Sequence, residues 1–232
     1  DPEARLIVRF HEPRPEAWVA ANAGEMQRAE DGRQLGQPSL ASRKSVEAVA
    51  ELCRRVVRYC EAQPWADRVF GYLMCPMGEG TVCAPFGGVV FDASPVMQVA
   101  FRNWVRAHYA DEAALRAAWG QPELTFDTVC VPSDEAWKLL VERDGEIVAG
   151  PEWQPMRDFW LLQRALHLQR YRTIIRAVRE AMGERQTLFG LDFCKQAMVG
   201  WEHNLSFHAT PQFPRYIDIA LPAGTAGKAM SM

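Results

Sequence analysis

Four short apolar runs, separated by segments long enough to hold helices, constrain the fold of this chain more than any other feature. Their sequences are RLIVRF (5–10), VFGYLM (69–74), TLFGLD (187–192) and YIDIAL (216–221). Runs of this length, rich in Val, Ile, Leu and Phe, are typical of strands that are buried on both faces. Strands that alternate with crossover helices are parallel, so the sequence predicts an α/β fold.

The segments between the runs carry helical signals. Residues 42–63 place apolar side chains at helical spacing, and Pro64 ends the pattern. Residues 155–182 predict a long helix that Gly183 terminates. Residues 23–42, rich in Gly, Gln and charge, are predicted to form a loop.

Two further helices are predicted between the second and third runs. Ser94-Pro95 is a helix start, with Ser as the cap and Pro in the first turn. Asp111 caps a shorter helix over 112–119, which ends at Gly120. We expect the helix that follows Ser94 to bury one apolar stripe, formed by Val96, Val99, Ala100, Trp104 and Ala107.

Composition excludes several classes of protein. The chain has 232 residues, 48% of them hydrophobic and 24% charged, with a net charge of −3. A slightly acidic chain argues against a nucleic-acid partner, and no apolar run is long enough to span a membrane. The six cysteines show no CxxC pair, which favours free thiols in the cytoplasm over disulfides and predicts no metal site. We expect no cofactor, because no GxGxxG and no GxxxxGK[ST] motif occurs.

Polar side chains follow three of the predicted strands. His11 and Glu12 come after the first, Glu79 lies between two glycines after the second, and Asp192 closes the third. In parallel α/β folds the carboxyl ends of the strands gather the functional side chains. Glu79 is therefore the strongest candidate for a catalytic residue. For the other carboxylates, helix capping or pairing with an arginine is the more ordinary role.

Aromatic residues in the predicted loops suit a sugar ligand, because sugar C–H groups stack on rings while hydroxyls bond to acids. Trp153 and Trp201 lie beside loop residues and are candidates for such contacts. Trp104 and Trp119 lie on helix stripes and are predicted to belong to the core.

With these features in place, residues 69–120 resemble the glycoside hydrolase A clan, in particular family 42 β-galactosidases and their relatives. The resemblance rests on a strand followed by an acid, then on Arg102-x-Trp104, Tyr109 and the run Ala118-Trp119-Gly120. Residues 125–133, the pattern Pro155-x-x-Asp158-Phe159 and the pair Gly200 and His203 extend it. It covers about two-thirds of the chain, and the segment from Arg102 to Gly120 is its most specific part.

The resemblance implies a (β/α)8 TIM barrel, of which residues 1–232 form one domain that holds only the middle strands as a fragment. It implies a retaining glycosidase with two carboxylates, in which Glu79 is the general acid/base. His11, Glu12, Trp153, Asp192 and Trp201 then line the site of the carbohydrate partner. Proteins of this family are often homo-oligomers, so the resemblance implies that this chain can form one as well. The nucleophile is not identified in this chain, since no Glu follows Glu202.

The sequence departs from the family pattern in two respects, which fits a divergent branch. Gly78 stands where the family usually has an Asn that binds the sugar, and the family's cysteine cluster is not reproduced by Cys75 and Cys83. Two other functions stay open: a carbohydrate-binding barrel without catalysis, and an α/β interaction domain in which Glu79 caps a helix.

Overall fold

The computed structural model describes residues 3–11, 16–75, 89–144, 149–185, 187–193 and 219–222. These residues form six strands and six α-helices. The strands are β1 (Leu6–His11), β2 (Met26–Arg28), β3 (Gln34–Pro38), β4 (Val69–Cys75), β5 (Leu188–Phe193) and β6 (Ile219–Pro222). The helices are α1 (Glu16–Ala21), α2 (Arg43–Glu61), α3 (Pro95–His108), α4 (Glu112–Trp119), α5 (Asp134–Asp144) and α6 (Gln154–Met182). Short 3-10 turns precede β2, β4 and α6.

The chain divides into two compact units. Unit 1 comprises Asp1–Glu16, Arg43–Cys83 and His167–Met232, and unit 2 comprises Ala17–Ser42 and Ala84–Leu166. Unit 2 is thus made of the connections that follow β1 and β4 along the chain. The expectation of one domain over 1–232 stays a prediction.

Unit 1 contains a parallel sheet with the strand order β1-β4-β5-β6. All three neighbouring pairs within it are parallel, as the alternation of apolar runs and helices predicts. The described part of the sheet is open rather than closed. The four predicted strands are confirmed, with boundaries that differ by one to three residues.

The core of unit 1 lies between this sheet and helices α2 and α6. Helix α2 contributes Val49, Cys53 and Val57 at spacings of four residues, so they lie on one face. Tyr72 of β4 and Phe189 of β5 pack against them and are almost fully buried. The helical periodicity read from residues 42–63 therefore identifies the buried face correctly.

An ion pair joins the end of α2 to the segment that leads into β5. The Arg185 guanidinium donates to both carboxylate oxygens of Glu61, over 2.5 and 2.6 Å, and the hydroxyl of Tyr72 donates to Glu61 as well. Arg185 also donates to the carbonyl of Val69, the first residue of β4. The amino ends of β4 and β5 are thereby fixed to α2.

Unit 2 combines the antiparallel hairpin β2–β3 with helices α3, α4, α5 and the first turns of α6. The predicted caps are confirmed: Ser94 accepts a hydrogen bond from the amide of Met97, and Asp111 accepts one from Ala114. Gly120 ends α4 with φ = 63°, a left-handed conformation that favours glycine.

The predicted apolar stripe of α3 is wrong by one position. The fully buried residues are Met97, Phe101 and Val105, whereas Val99 is 55% exposed. The ring of Phe101 stacks on Trp119 and meets Phe159 edge to face, which orients the helix. Both stripes have helical spacing, so periodicity alone could not choose between them.

Residues 23–42, predicted to be a loop, contain the β2–β3 hairpin, and α5 lies in a stretch for which no helix is predicted. Both elements have weak apolar patterns: Gln27 and Gln37 occupy buried strand positions, and α5 has no buried residue. None of the described helices combines the length and apolarity required to cross a bilayer.

Candidate functional site

The carboxyl ends of the parallel strands form one edge of the sheet in unit 1. In the register between β1 and β4, His11 pairs with Cys75, the last residue of each strand. In the next pair Met74 lies opposite Leu191, so Cys75 and Asp192 are each one residue beyond that pair. Asp192 in turn pairs with Leu221 of β6. His11, Cys75 and Asp192 therefore lie in one row across the sheet.

The part of the sheet that precedes this row along the strands packs against the helices. Val8, Tyr72 and Phe189 are register partners across β1, β4 and β5, and all three contribute to the core beneath α2 and α6. Positions 11, 75 and 192 are each three residues further along their strands, at the carboxyl edge of the sheet.

The spacing across this row suits a small polar site. Neighbouring strands lie about 4.8 Å apart, so the β1 and β5 positions are separated by roughly 10 Å, with β4 between them. The chain leaves β4 at Cys75 and reaches Glu79 four residues later. Glu79, Glu12 and Trp201 lie outside the described residues, and the structure describes His11 and Asp192 by their backbone positions.

Trp153 belongs to unit 2, at the start of α6. Its side chain is only 1% exposed, and its indole N–H donates to Oδ2 of Asp144 over 2.8 Å. The Arg143 guanidinium, followed by this indole, lowers the pKa of Asp144 to about 2. A ring buried to this extent has no open face for a sugar, so the described contacts give Trp153 a structural role.

Hydrogen bonds in unit 2 join three residues that carry the family resemblance, and one of the three, Asp158, is a buried carboxylate. Tyr109 and Trp119 both donate to Oδ2 of Asp158, over 2.6 and 2.8 Å, and the side-chain amide of Gln154 donates to Oδ1 over 2.7 Å. Asp158 is only 3% exposed. No local pattern predicts this contact, because Asp158 lies 49 residues from Tyr109 and 39 residues from Trp119 along the chain.

Two other resemblance residues that the structure describes, Arg102 and Trp104, also make contacts within the fold. Arg102 donates from Nε to the carbonyl of Val129 over 2.9 Å. Trp104 stacks on His108 with ring centroids 3.8 Å apart and is half-buried, in contrast to its predicted place in the core. Trp119 is 4% exposed, which confirms its predicted core position.

A groove of about 530 Å³ lies in unit 2 between α4, α5 and the start of α6. Its described lining is mostly apolar, and Glu152 is the only carboxylate among the described residues that line it. A retaining glycosidase needs two carboxylates, and these lining residues supply one. Within the part of the chain that the structure describes, no group of three or more His, Cys, Asp or Glu residues gathers as a metal site.

No model of a protein family matches the sequence, and no curated protein does. Solved structures do match the fold. A β-galactosidase from the psychrophilic Marinomonas ef1 matches with a TM-score of 0.67 and 16% identity over 94% of this chain and 30% of its own. A β-galactosidase from the Antarctic haloarchaeon Halorubrum lacusprofundi gives 0.65 and 17% over the same shares.

A family 42 exo-carrageenase from Bacteroides ovatus gives a TM-score of 0.60 with 13% identity, over 94% of this chain and 27% of its own. This chain thus spans about 30% of the length of the first two structures it matches. The resemblance inferred from the motifs is confirmed at the level of the fold. The structural neighbours of this chain are family 42 β-galactosidases and related glycoside hydrolases, and the chain has the fold of one part of them.

Proposed function

We propose that this chain is the central part of a retaining glycoside hydrolase that acts on galactoside-like carbohydrates. The observation that carries the proposal is the row at the carboxyl edge of the sheet, in which His11 and Asp192 flank the strand that leads to Glu79. The fold of the neighbouring β-galactosidases supports it.

The strand order supports a barrel of the (β/α)8 type. The strands follow one another across the sheet in chain order, and helices α2 and α6 share one core against one face. Parallel strands are joined by right-handed crossovers, so successive strands laid in one direction put every helix on the same side. A sheet built in this way curls into a barrel with its helices outside. We assign strands β1, β4, β5 and β6 to the middle of such a barrel.

In the proposed mechanism Glu79 is the general acid/base. It protonates the glycosidic oxygen as the bond breaks, and it later removes a proton from the water that releases the sugar. A protonated carboxyl at neutral pH requires a poorly solvated environment, which raises its pKa. His11, Glu12, Asp192 and Trp201 are proposed to bind the sugar. The nucleophile is not assigned to any residue of this chain.

The proposal includes a cytoplasmic location, which the free thiols of the buried Cys53 and Cys60 support. A homo-oligomer stays a prediction from the resemblance.

The test is Glu79→Gln in the full-length protein, assayed on aryl β-galactosides. Gln keeps the size of the side chain but cannot transfer the proton, so we expect activity to fall by about 10²-fold or more at an unchanged melting temperature. Glu142→Gln, on the exposed side of α5, is the matched control and should keep full activity.

Two outcomes would redirect the proposal. If Glu79→Gln has a lower melting temperature but an unchanged specific activity, Glu79 caps a helix, as expected for an interaction domain. Binding of galactosides by a wild-type protein that never hydrolyses them would favour a carbohydrate-binding barrel without catalysis.

A further inference from the structure

The groove in unit 2 lies beside a helix, α5, that has no buried residue. This helix is held at its two ends. Asp134 accepts hydrogen bonds from two backbone amides that precede α3, and Asp144 accepts one from the indole N–H of Trp153. Between these ends Leu139 and Leu140 line the groove. The apolar side chains of α5 therefore border an open groove of about 530 Å³ instead of a core.

The stretch of chain that forms this groove is acidic. The described lining begins at Trp119 and ends at Met156. Residues 119–156 contain eight Asp or Glu residues and two Lys or Arg residues, a net charge of −6, whereas the whole chain has a net charge of −3. The remainder of the chain is therefore basic overall. An apolar groove with acidic surroundings is complementary to an apolar side chain that lies among cations.

A surface with this composition lies on α2 in unit 1, and we name it the α2 surface: Tyr59, Arg55 and Arg58. Tyr59 is 65% exposed, the largest value among the exposed large hydrophobic residues that the structure describes. Arg55 and Arg58 are exposed as well, and both Tyr59 and Arg58 lie one helical turn after Arg55. The three acids of α2 pair with other arginines, and within the described residues neither Arg55 nor Arg58 has an acidic partner. Tyr and Arg are the residue types that often dominate the binding energy of an interface.

We propose that the α2 surface of one copy of this protein binds in the groove of a second copy. Tyr59 enters between the apolar side chains of the groove, and Arg55 and Arg58 lie against its acidic surroundings. The contact covers Leu139, which at 60% is second only to Tyr59 in exposure among those hydrophobic residues. Because the two surfaces differ, the contact is heterologous: each copy offers its α2 surface to one neighbour and its groove to another, which gives a ring or a filament. This assembly requires no glycosidase activity.

The test is sedimentation velocity of the full-length protein at micromolar concentrations. We expect the wild type to sediment as species larger than the monomer, and to dissociate as added salt screens the charges. Tyr59→Ser removes the anchor and Leu139→Arg puts a cation into the groove, so each should weaken self-association by about tenfold or more. Leu161→Arg is the matched control: this side chain of unit 2 is 48% exposed and lies outside the described lining, so self-association should equal that of the wild type.

Mixing the two variants tests the pairing of the two surfaces directly. Tyr59→Ser keeps an intact groove, and Leu139→Arg keeps an intact α2 surface, so one contact can form between the unlike variants. An equimolar mixture should therefore form dimers and nothing larger, although each variant alone is mainly monomeric. An isologous interface cannot give this result, because it uses the same patch on both copies.

A wild type that stays monomeric at every concentration would overturn the proposal, whether its groove is empty or binds a different protein. So would self-association of Tyr59→Ser equal to that of Leu161→Arg, or a mixture of the two variants that contains only monomers. Melting temperatures show whether each variant is folded. If one is not, Arg55→Glu replaces Tyr59→Ser, or Ala136→Arg in the groove lining replaces Leu139→Arg, with the same expected results.

Discussion

Tyr109 donates its hydroxyl to Oδ2 of Asp158 over 2.6 Å and so joins two parts of the chain that lie 49 residues apart. Trp119 donates to the same oxygen from a third position. All three residues belong to the motifs that resemble family 42 glycosidases. A buried carboxylate that accepts hydrogen bonds from two neutral donors explains why these three residue types occur here. This structural role requires no contact with a substrate. The most specific part of the resemblance therefore reports the fold rather than the chemistry.

Asp158→Asn should destabilise the protein. An amide at this position presents N–H groups either to the donors Tyr109 and Trp119 or to Gln154, so at least one buried donor loses its acceptor. We expect the free energy of unfolding to fall by about 2–4 kcal/mol, measured by urea denaturation. Asp111→Asn keeps a capping side chain and serves as the control, with a change below about 0.5 kcal/mol. An equal effect of both variants would contradict this account of Asp158.

Glu61 should make the stability of unit 1 depend on pH. Burial raises the pKa of Glu61, but the hydrogen bonds from Arg185 and Tyr72 outweigh it and leave that pKa below its usual value. A carboxyl with a lowered folded pKa stabilises the protein above its unfolded pKa, about 4.3, and this contribution is lost as the pH falls through the folded pKa.

We therefore expect the urea midpoint of the wild type to drop on acidification below about pH 4, and Glu61→Gln to be less stable at neutral pH with a weaker acid dependence. Glu47→Gln, whose side chain is 61% exposed, is the control and should keep the wild-type dependence. The same acid dependence in Glu61→Gln and Glu47→Gln would rule out this role for Glu61.

The thiols of Cys53 and Cys130 should differ in their reactivity towards alkylating reagents. Cys53 is 1% exposed, and burial raises its pKa to about 12, so almost no thiolate forms at neutral pH. Cys130 is exposed. Iodoacetamide should therefore modify Cys130 in the native protein and Cys53 only in denaturant, which peptide mass mapping can measure. Cys130→Ser should leave Cys53 protected. Rapid modification of Cys53 without denaturant would show that the α2 core opens easily.

Asp192 should matter for activity rather than for stability, if the proposed sugar site is correct. Asp192→Asn in the full-length protein is expected to lower kcat/KM on aryl β-galactosides by about tenfold or more. Asp67→Asn lies at the opposite, amino end of β4 and should have no effect on kcat/KM. Equal activity of both variants, at equal melting temperature, would remove Asp192 from the site.

Local signals in the sequence predicted the elements that local interactions determine. The caps at Ser94, Asp111 and Gly120 act within one helical turn, and the apolar face of α2 repeats along a single helix. The four strands of unit 1 were evident because parallel strands buried on both faces are continuous apolar runs.

The rest depends on partners distant in sequence. The hairpin was missed because two of its buried positions hold glutamines, and because its hydrogen bond to Asp92, donated by the Arg28 amide, joins residues distant in sequence. The α3 stripe was misplaced because Trp119 and Phe159 select the buried face. At the candidate site, the sequence placed Asp192 at a strand end, but its row with His11 follows from the sheet order.

The division of unit 2 into two stretches of chain affects how the protein is made. On the ribosome, residues 17–42 emerge well before the segment that begins at residue 84, yet the hairpin core joins Ala29 and Leu35 to Val89. Translation proceeds at about 5–20 residues per second, so for several seconds the apolar residues of the hairpin have no Val89 to pack against. Synonymous codons that slow synthesis between residues 43 and 83 should then increase capture of the nascent chain by chaperones.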